Sequence, residues 1–247
     1  MNTKVTIKYD GSAYSGWQSQ SKIRNLRTVE DTIVKAISII NKEKTEIIGS
    51  GRTDRGVHAL GQVFNFENIH NIPLDRLKNA LNNSLPDDIE VISCEEVADD
   101  FHARYSAYSK EYHYYLNQSD FSLFTRHYQT FTKFDLNLEK MQEAANIFIG
   151  KHDFRSFNAT PIEVKRNQVV TISRFEIIKE DDLFIFKIEG SNFLRHMVRM
   201  LVGAVVYAGA NKISIMTLKS MLDNPSGKKS PYNIEPNGLY LYKVNYK

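Results

Sequence analysis

The segment Gly49-Ser50-Gly51-Arg52-Thr53-Asp54-Arg55-Gly56-Val57-His58-Ala59 places a single carboxylate, Asp54, between two arginines in a stretch bounded by glycines. It fits no phosphate-cradling pattern. A P-loop ends in Gly-Lys-Ser/Thr, and the dinucleotide fingerprint needs a glycine where Asp54 stands. Two uses of Asp54 remain open. As a turn residue it accepts backbone hydrogen bonds, the commoner role of aspartate on a tight loop. As a reacting group it is a carboxylate nucleophile held ionised by neighbouring guanidinium groups, with Arg52 and Arg55 the nearest. Those two arginines can equally be plain solvated side chains. Arg195 and Arg199, four apart, would share one face of a helix. They either snorkel to solvent or reach a carboxylate or phosphate with a planar fork of donors. Tyr112 shares a strand face with Tyr114, which is either core packing or a phenol stacked on a base. Lys22, Arg24 and Arg27 form a basic cluster, read as a solvated loop or as phosphate contacts.

Other chemistries find no support. His58, His70, His102, His113, His127, His152 and His196 are scattered, and no pair has the His-x-x-x-His spacing of a helical zinc site. Cys94 is the single cysteine, which excludes an internal disulfide and a cysteine-cluster metal site. No Gly-x-Ser-x-Gly elbow is present. Asp87-Asp88 and Asp99-Asp100 read as exposed turns rather than acid–base pairs. Against 32 Lys+Arg stand 29 Asp+Glu, and the resulting +3 permits a nucleic-acid partner without demanding one. Apolar residues at 42% and charged residues at 25% exclude wholesale disorder. The longest apolar run, Met200 to Ala210, is shorter than the roughly twenty residues a membrane span takes. The N-terminus alternates like a strand and has no signal-peptide core. A reduced, cytoplasmic, soluble protein is expected.

These residues need elements to hold them. Val5, Ile7 and Tyr9 alternate as a strand running into the turn Asp10-Gly11-Ser12. Thr28-Val29-Glu30-Asp31 has the form of a capping box, followed by Val29, Ile33, Val34, Ile37 and Ile40 at helical spacing. Pro73 opens a second helix with Leu74, Leu77, Ala80 and Leu81 on one face. Glu46–Ile48 and Gly61–Phe66 flank the Asp54 loop as strands. Further strands are predicted at Glu111–Leu116, Val169–Ile178, Leu183–Glu189 and Leu239–Tyr246, with a Lys-Glu-Asp-Asp turn joining the middle two. Helices are predicted at Leu138–Ile149, at Phe193–Ala208 with Gly209 as its stop, and at Ser214–Leu222. Hairpins with single helices between them make the chain α+β. A soft boundary near residues 100–108 divides it into halves 1–105 and 106–247.

At these residues the chain resembles the tRNA pseudouridine synthase A family. Gly51-Arg52-Thr53-Asp54-Arg55-Gly56-Val57-His58-Ala59 is similar to that family's catalytic motif, and Tyr9-Asp10-Gly11-Ser12-Ala13-Tyr14-Ser15-Gly16-Trp17-Gln18 to its opening motif. Phe101-His102-Ala103-Arg104-Tyr105-Ser106-Ala107 and Tyr112-His113-Tyr114 resemble its central segment. Asn192 to Arg199 resembles its late helix, and Gly238-Leu239-Tyr240-Leu241 its last strand. The resemblance implies two pseudo-symmetric α+β halves sharing a largely antiparallel central sheet flanked by helices, with the active-site cleft between them. It implies a homodimer with no metal or organic cofactor, acting on uridines 38, 39 and 40 in the anticodon stem–loop of tRNA. Asp54 is then the nucleophile, Tyr112 the ring against the target base, and Arg199 the partner that holds Asp54 ionised. Arg52, Arg55, His58, Lys22, Arg24 and Arg27 are then expected to contact the RNA.

Three positions depart from the family's usual pattern. Glu30 stands where glutamine is frequent, Glu111 where a base is common, and Glu235 where a second proline usually precedes the final Gly-Leu. They leave the catalytic set intact and bear on which RNA is chosen. The same chemistry on ribosomal RNA, or a non-catalytic RNA-binding protein on this fold, is the alternative. An aspartate-nucleophile hydrolase has no further motif behind it.

Overall fold

The structure is a computed structural model and describes residues 1–20, 26–161, 167–225 and 228–247. In chain order the elements are β1 (Asn2–Tyr9), α1 (Val29–Asn41), β2 (Ile48–Gly49), β3 (His58–Glu67), α2 (Leu74–Ser84), β4 (Ile89–Glu96) and β5 (Ala107–Asn117). They continue with β6 (Thr130–Phe131), α3 (Leu138–Asn146), β7 (Gly150–Asp153), β8 (Val169–Glu180) and β9 (Leu183–Gly190). The chain ends with α4 (Met197–Gly209), α5 (Ile215–Asp223) and β10 (Leu239–Tyr246). Two compact units result, Met1–Tyr108 with Tyr240–Lys247, and Ser109–Leu239. The closing strand, grouped with the second half on sequence order, belongs from Tyr240 onward to the first unit. There it lies parallel to β3, with Tyr240 opposite His58.

In the first unit β1 is flanked antiparallel by β3 and β4, and β2 pairs antiparallel with β3. The alternation read from sequence buries Val5, Ile7 and Tyr9. Thr28 is the extended N-cap of α1, its hydroxyl accepting from the Asp31 amide, and Glu30 and Asp31 sit favourably at the positive end of the helix dipole. The helix buries Val29, Ile33, Ala36 and Ile37, while α2 buries Leu77 and Leu81.

In the second unit the order β5-β9-β8-β7 is antiparallel throughout, and the two-residue β6 runs parallel to β5. Glu180 faces Leu183, so the β8–β9 turn is only Asp181-Asp182, with Asp181 at φ 51°. Tyr114, Phe184, Phe186, Ile188 and Phe175 fill the core, where α3 packs on α4 and β8. Two details of α4 differ from expectation. His196 has φ 58°. A right-handed helix interior does not allow that value, so the helix opens at Met197 instead of Phe193. Gly209 is its last helical residue, not its stop. A Cβ there would stand 2.3 Å from Met141 Cγ of α3, so the glycine serves the helix crossing. The left-handed residue that follows the helix is Asn211, at φ 58°, a position that closes many helices.

Candidate active site

The loop from β2 to β3 carries Asp54, and almost every neighbour of that residue is fixed by a different element. Gln62 on β3 is fully buried; its amide nitrogen donates to the Gly51 carbonyl at 3.1 Å while its oxygen accepts from Ser50 Oγ at 2.7 Å. Thr53 is held from both sides. Its hydroxyl bonds to the buried Tyr9 phenol at 2.8 Å, and its carbonyl accepts from the Trp17 amide at 3.1 Å. The Val57 amide donates to the Asp54 carbonyl at 3.1 Å, closing a turn in which Gly56 takes φ 77°. Asp54 therefore occupies the first position of a tight turn, and its side chain is half-buried.

The opening motif packs against the back of this loop. Gly16 takes φ +93°, and a Cβ on it would lie 2.7 Å from the Thr53 carbonyl oxygen and 3.2 Å from both Asp54 C and Arg55 N. At Gly11 a Cβ would stand 2.0 Å from the Val57 carbonyl oxygen. Trp17 is 2% exposed, and its indole lies where a Cβ on Gly49 would sit. Spacing alone does not identify Gly11, Gly16, Trp17 or Gln62 as supports of the loop. The signal is present in the clustered glycines and lone tryptophan of the opening motif, but its meaning is a contact between distant segments.

Tyr112 lies on β5 opposite Ile188, is largely buried, and meets Phe193 edge-on with ring centroids 5.0 Å apart. Arg199 belongs to the first turn of α4, and its Nε donates to the Ile234 carbonyl at 2.7 Å. Gly203, one turn on, faces the same segment so closely that a Cβ would stand 2.1 Å from the Tyr232 carbonyl oxygen. Arg195 does not share this helical face. It precedes the helix, is exposed, and its carbonyl accepts from the Ala159 amide at 2.8 Å.

The remaining expected contacts divide by exposure. Arg52 and Arg55 are exposed and form no ion pair among the described residues. His58 is only 1% exposed. Its Nδ1 accepts from the Gly11 amide at 3.0 Å, and its ring stacks on Tyr240 at 4.7 Å, so it braces the loop from inside. Arg27 makes a forked pair with Asp88 at 2.7 and 3.0 Å and lies 4.3 Å over the Tyr14 ring, which ties the opening motif to the chain before β4. Lys22 and Arg24 lie outside the described residues.

The departures have local explanations. Glu30 accepts from the Gln18 amide at 2.8 Å and from the Ser19 backbone at 2.6 Å, which anchors the end of the opening motif. Glu111 is bonded by His113 Nε2 at 2.7 Å and by Arg174 at 2.7 Å. Burial opposes its ionisation, but the His113 hydrogen bond and the Arg174 charge together hold the carboxyl below its usual range. Its charge is thus largely compensated on its own sheet. The Glu235 carbonyl accepts from the buried Tyr114 phenol at 2.9 Å. Burial pushes the Cys94 thiol up to about 11, so it is a poor nucleophile at neutral pH. Among the described residues no group of three or more His, Cys, Asp or Glu could hold a metal ion, and no helix is long and apolar enough to cross a membrane.

The architecture is thus α+β, and it presents one carboxylate on a braced, glycine-bounded turn. The family model described as tRNA pseudouridine synthase matches residues 5–106 and 144–247. The chain belongs to that family. It is 42% identical over 246 residues to the tRNA pseudouridine synthase A of Acetivibrio thermocellus, covering 99% of each chain. To the protein of the same name from Bacillus subtilis it is 42% identical over 249 residues, covering 100% of this chain and 99% of the other. To that of an Exiguobacterium species it is 40% identical over 244 residues, covering 99% and 97%.

Proposed function

We propose that this member of the family converts uridine to pseudouridine at positions 38, 39 and 40 in the anticodon stem–loop of tRNA, with Asp54 as the nucleophile. The observation that carries the reading is the Asp54 turn, braced residue by residue inside a chain that aligns with members of the family along nearly its whole length. The reaction is an isomerisation. The N1–C1′ bond breaks, C5 bonds to C1′, the C5 proton leaves and N1 gains one, so no water or redox partner enters. Asp54 attacks C6 of the base or C1′ of the ribose. Tyr112 replaces part of the stacking that the uracil loses on leaving its helix. Arg199 is the cationic partner of the carboxylate. Arg52 and Arg55, exposed beside the turn, take phosphates, as do Lys22 and Arg24. Arg27 and His58 act as supports. The same reading makes the enzyme a cytoplasmic homodimer that uses no cofactor.

Mapping pseudouridine in RNA from cells lacking this protein tests the reading, and loss at tRNA positions 38–40 is expected. Loss confined to ribosomal RNA would move the substrate. No loss anywhere would leave a non-catalytic RNA binder.

Gly16→Ala tests the bracing. The substitution forces a side chain into a left-handed position and toward the Thr53 carbonyl, 2.7 Å from the new Cβ. Displacing Asp54 by a fraction of an ångström is expected to lower the single-turnover rate on an anticodon-arm transcript about 10- to 100-fold. The dissociation constant for the same RNA should stay within about threefold of the original. A rate equal to wild type would mean that the turn tolerates movement and that bracing is not what positions Asp54.

A further inference from the structure

The segment Phe101–Ser106 is given no role by the Asp54 chemistry, yet side chains of three strands hold its backbone. Three side chains converge on its backbone from below. Asn65, 5% exposed on β3, accepts from the Ala103 amide at 2.9 Å through its carbonyl oxygen. Asn2, 7% exposed on β1, donates to the carbonyls of Ala98 and Phe101, both at 3.0 Å, and its own carbonyl oxygen accepts from Asn65 Nδ2 at 2.9 Å. Tyr246 on β10 donates its phenol proton to the Ala103 carbonyl at 2.7 Å. The turn also closes on itself, the Ser106 amide donating to the His102 carbonyl at 2.9 Å and the His102 amide donating to Ser106 Oγ at 3.1 Å. Buried amides from two strands rarely converge on a loop whose only task is to connect elements, because loops that carry no function tolerate movement.

What this support presents outward is a cation and two rings. Tyr105 is 75% exposed. Its ring lies against His102 at a tilt of 34° with centroids 4.3 Å apart, and the Arg104 guanidinium carbon lies 5.5 Å from its centroid. The imidazole is locked in place, since its Nδ1 accepts from the amides of Arg104 and Tyr105 at 3.2 and 3.3 Å. The Tyr105 side chain is thus oriented before any partner arrives, which lowers the entropy lost on binding. Ala103, the aliphatic residue of the turn, is fully buried, and Arg104 and Ser106 are exposed. The neighbours of the Tyr105 ring are a guanidinium, an imidazole and a hydroxyl, the combination that receives an unstacked nucleobase.

We propose that the Phe101–Ser106 turn is a base-stacking platform for the RNA substrate, on which an unpaired base lies against Tyr105 beside the Arg104 guanidinium. The proposal rests on the reading of the chain as an RNA-modifying enzyme and adds to it an RNA contact outside the Asp54 turn. Asp99 and Asp100 stand just upstream and disfavour a run of phosphates there, so the contact is made to the base face more than to the backbone.

Equilibrium binding of an unmodified tRNA transcript to the full chain, at several salt concentrations, tests this without using activity. Tyr105→Ala is expected to weaken binding roughly tenfold, Tyr105→Phe to stay within about twofold, and neither to change the salt slope, because stacking releases no counterions. A thermal midpoint within a degree or two of wild type is expected for both, since the side chain is exposed. Unchanged affinity in Tyr105→Ala overturns the proposal, as does an equal loss in Tyr105→Phe. Dissociation of an oligomer with RNA affinity unchanged would show that Tyr105 serves a protein contact instead, which also overturns it. If the wild-type chain itself fails to bind tRNA, the failure belongs to the RNA reading and the platform falls with it.

Discussion

Asp54→Asn is expected to lose at least roughly 10⁴-fold in single-turnover rate while keeping the fold and most of the affinity for RNA. The amide is close in shape to the carboxylate but is a far weaker nucleophile. The fold should survive, because the turn is held through its backbone and neighbours. Thr53 is bonded to Tyr9 and Trp17, Gly51 to Gln62, and Val57 closes onto the Asp54 carbonyl, which the substitution keeps. Single-turnover assays on an anticodon-arm transcript, with a binding titration of the same RNA, separate chemistry from affinity. Turnover within tenfold of wild type would remove Asp54 from the catalytic role. An equal loss of rate and affinity would point to a binding residue instead.

Arg199→Met is expected to lower the rate by about 10²–10³-fold, for two separable reasons. It removes the proposed cationic partner of Asp54, and it leaves the Ile234 carbonyl without the Nε donor at 2.7 Å. The second loss alone costs about 1–3 kcal/mol if no water replaces the donor, so a lower thermal midpoint accompanies the rate effect. Arg199→Lys separates the two. It keeps the charge but lacks the planar fork, so it should recover part of the rate and little of the bond to Ile234. Arg195→Met, on an exposed residue ahead of the helix, should change the rate less than about threefold. Comparable losses in Arg195→Met and Arg199→Met would mean that general positive charge, and not a specific partner, is what this region supplies.

Much of the architecture is legible along the chain because its signals are short-ranged. The alternation of Val5, Ile7 and Tyr9, the Thr28 cap and the closing strand Leu239–Tyr246 all depend on neighbours within one turn or one pleat. The start of α4 is not legible. Phe193 and Leu194 extend the apolar pattern of the helix, and no proline or glycine interrupts it. The interruption is His196 at φ 58°, accompanied by the Ala159–Arg195 hydrogen bond and the Tyr112–Phe193 contact. Gly209 misleads for the same reason. A glycine near a helix end looks like a stop, and only the packing of Met141 shows that it makes room for a neighbouring helix.

Residue types at fixed spacing suffice for the α+β class, most of its longer elements, the Asp54 motif and membership of a family, but not for β4, which pairs with β1, or for the short β7. Where the other described charged and aromatic side chains sit was decided only by contacts between distant segments. Arg27 becomes half of a clasp with Asp88, 61 residues away, and His58 becomes a buried brace against Gly11 and Tyr240. Gly16 proves to be the surface on which the Asp54 turn rests, and Tyr105 is left exposed on a turn held by Asn2, Asn65 and Tyr246. Whether a side chain is solvated, paired or buried depends on which distant segments the folded chain brings beside it. Residue type and local spacing carry no record of those partners.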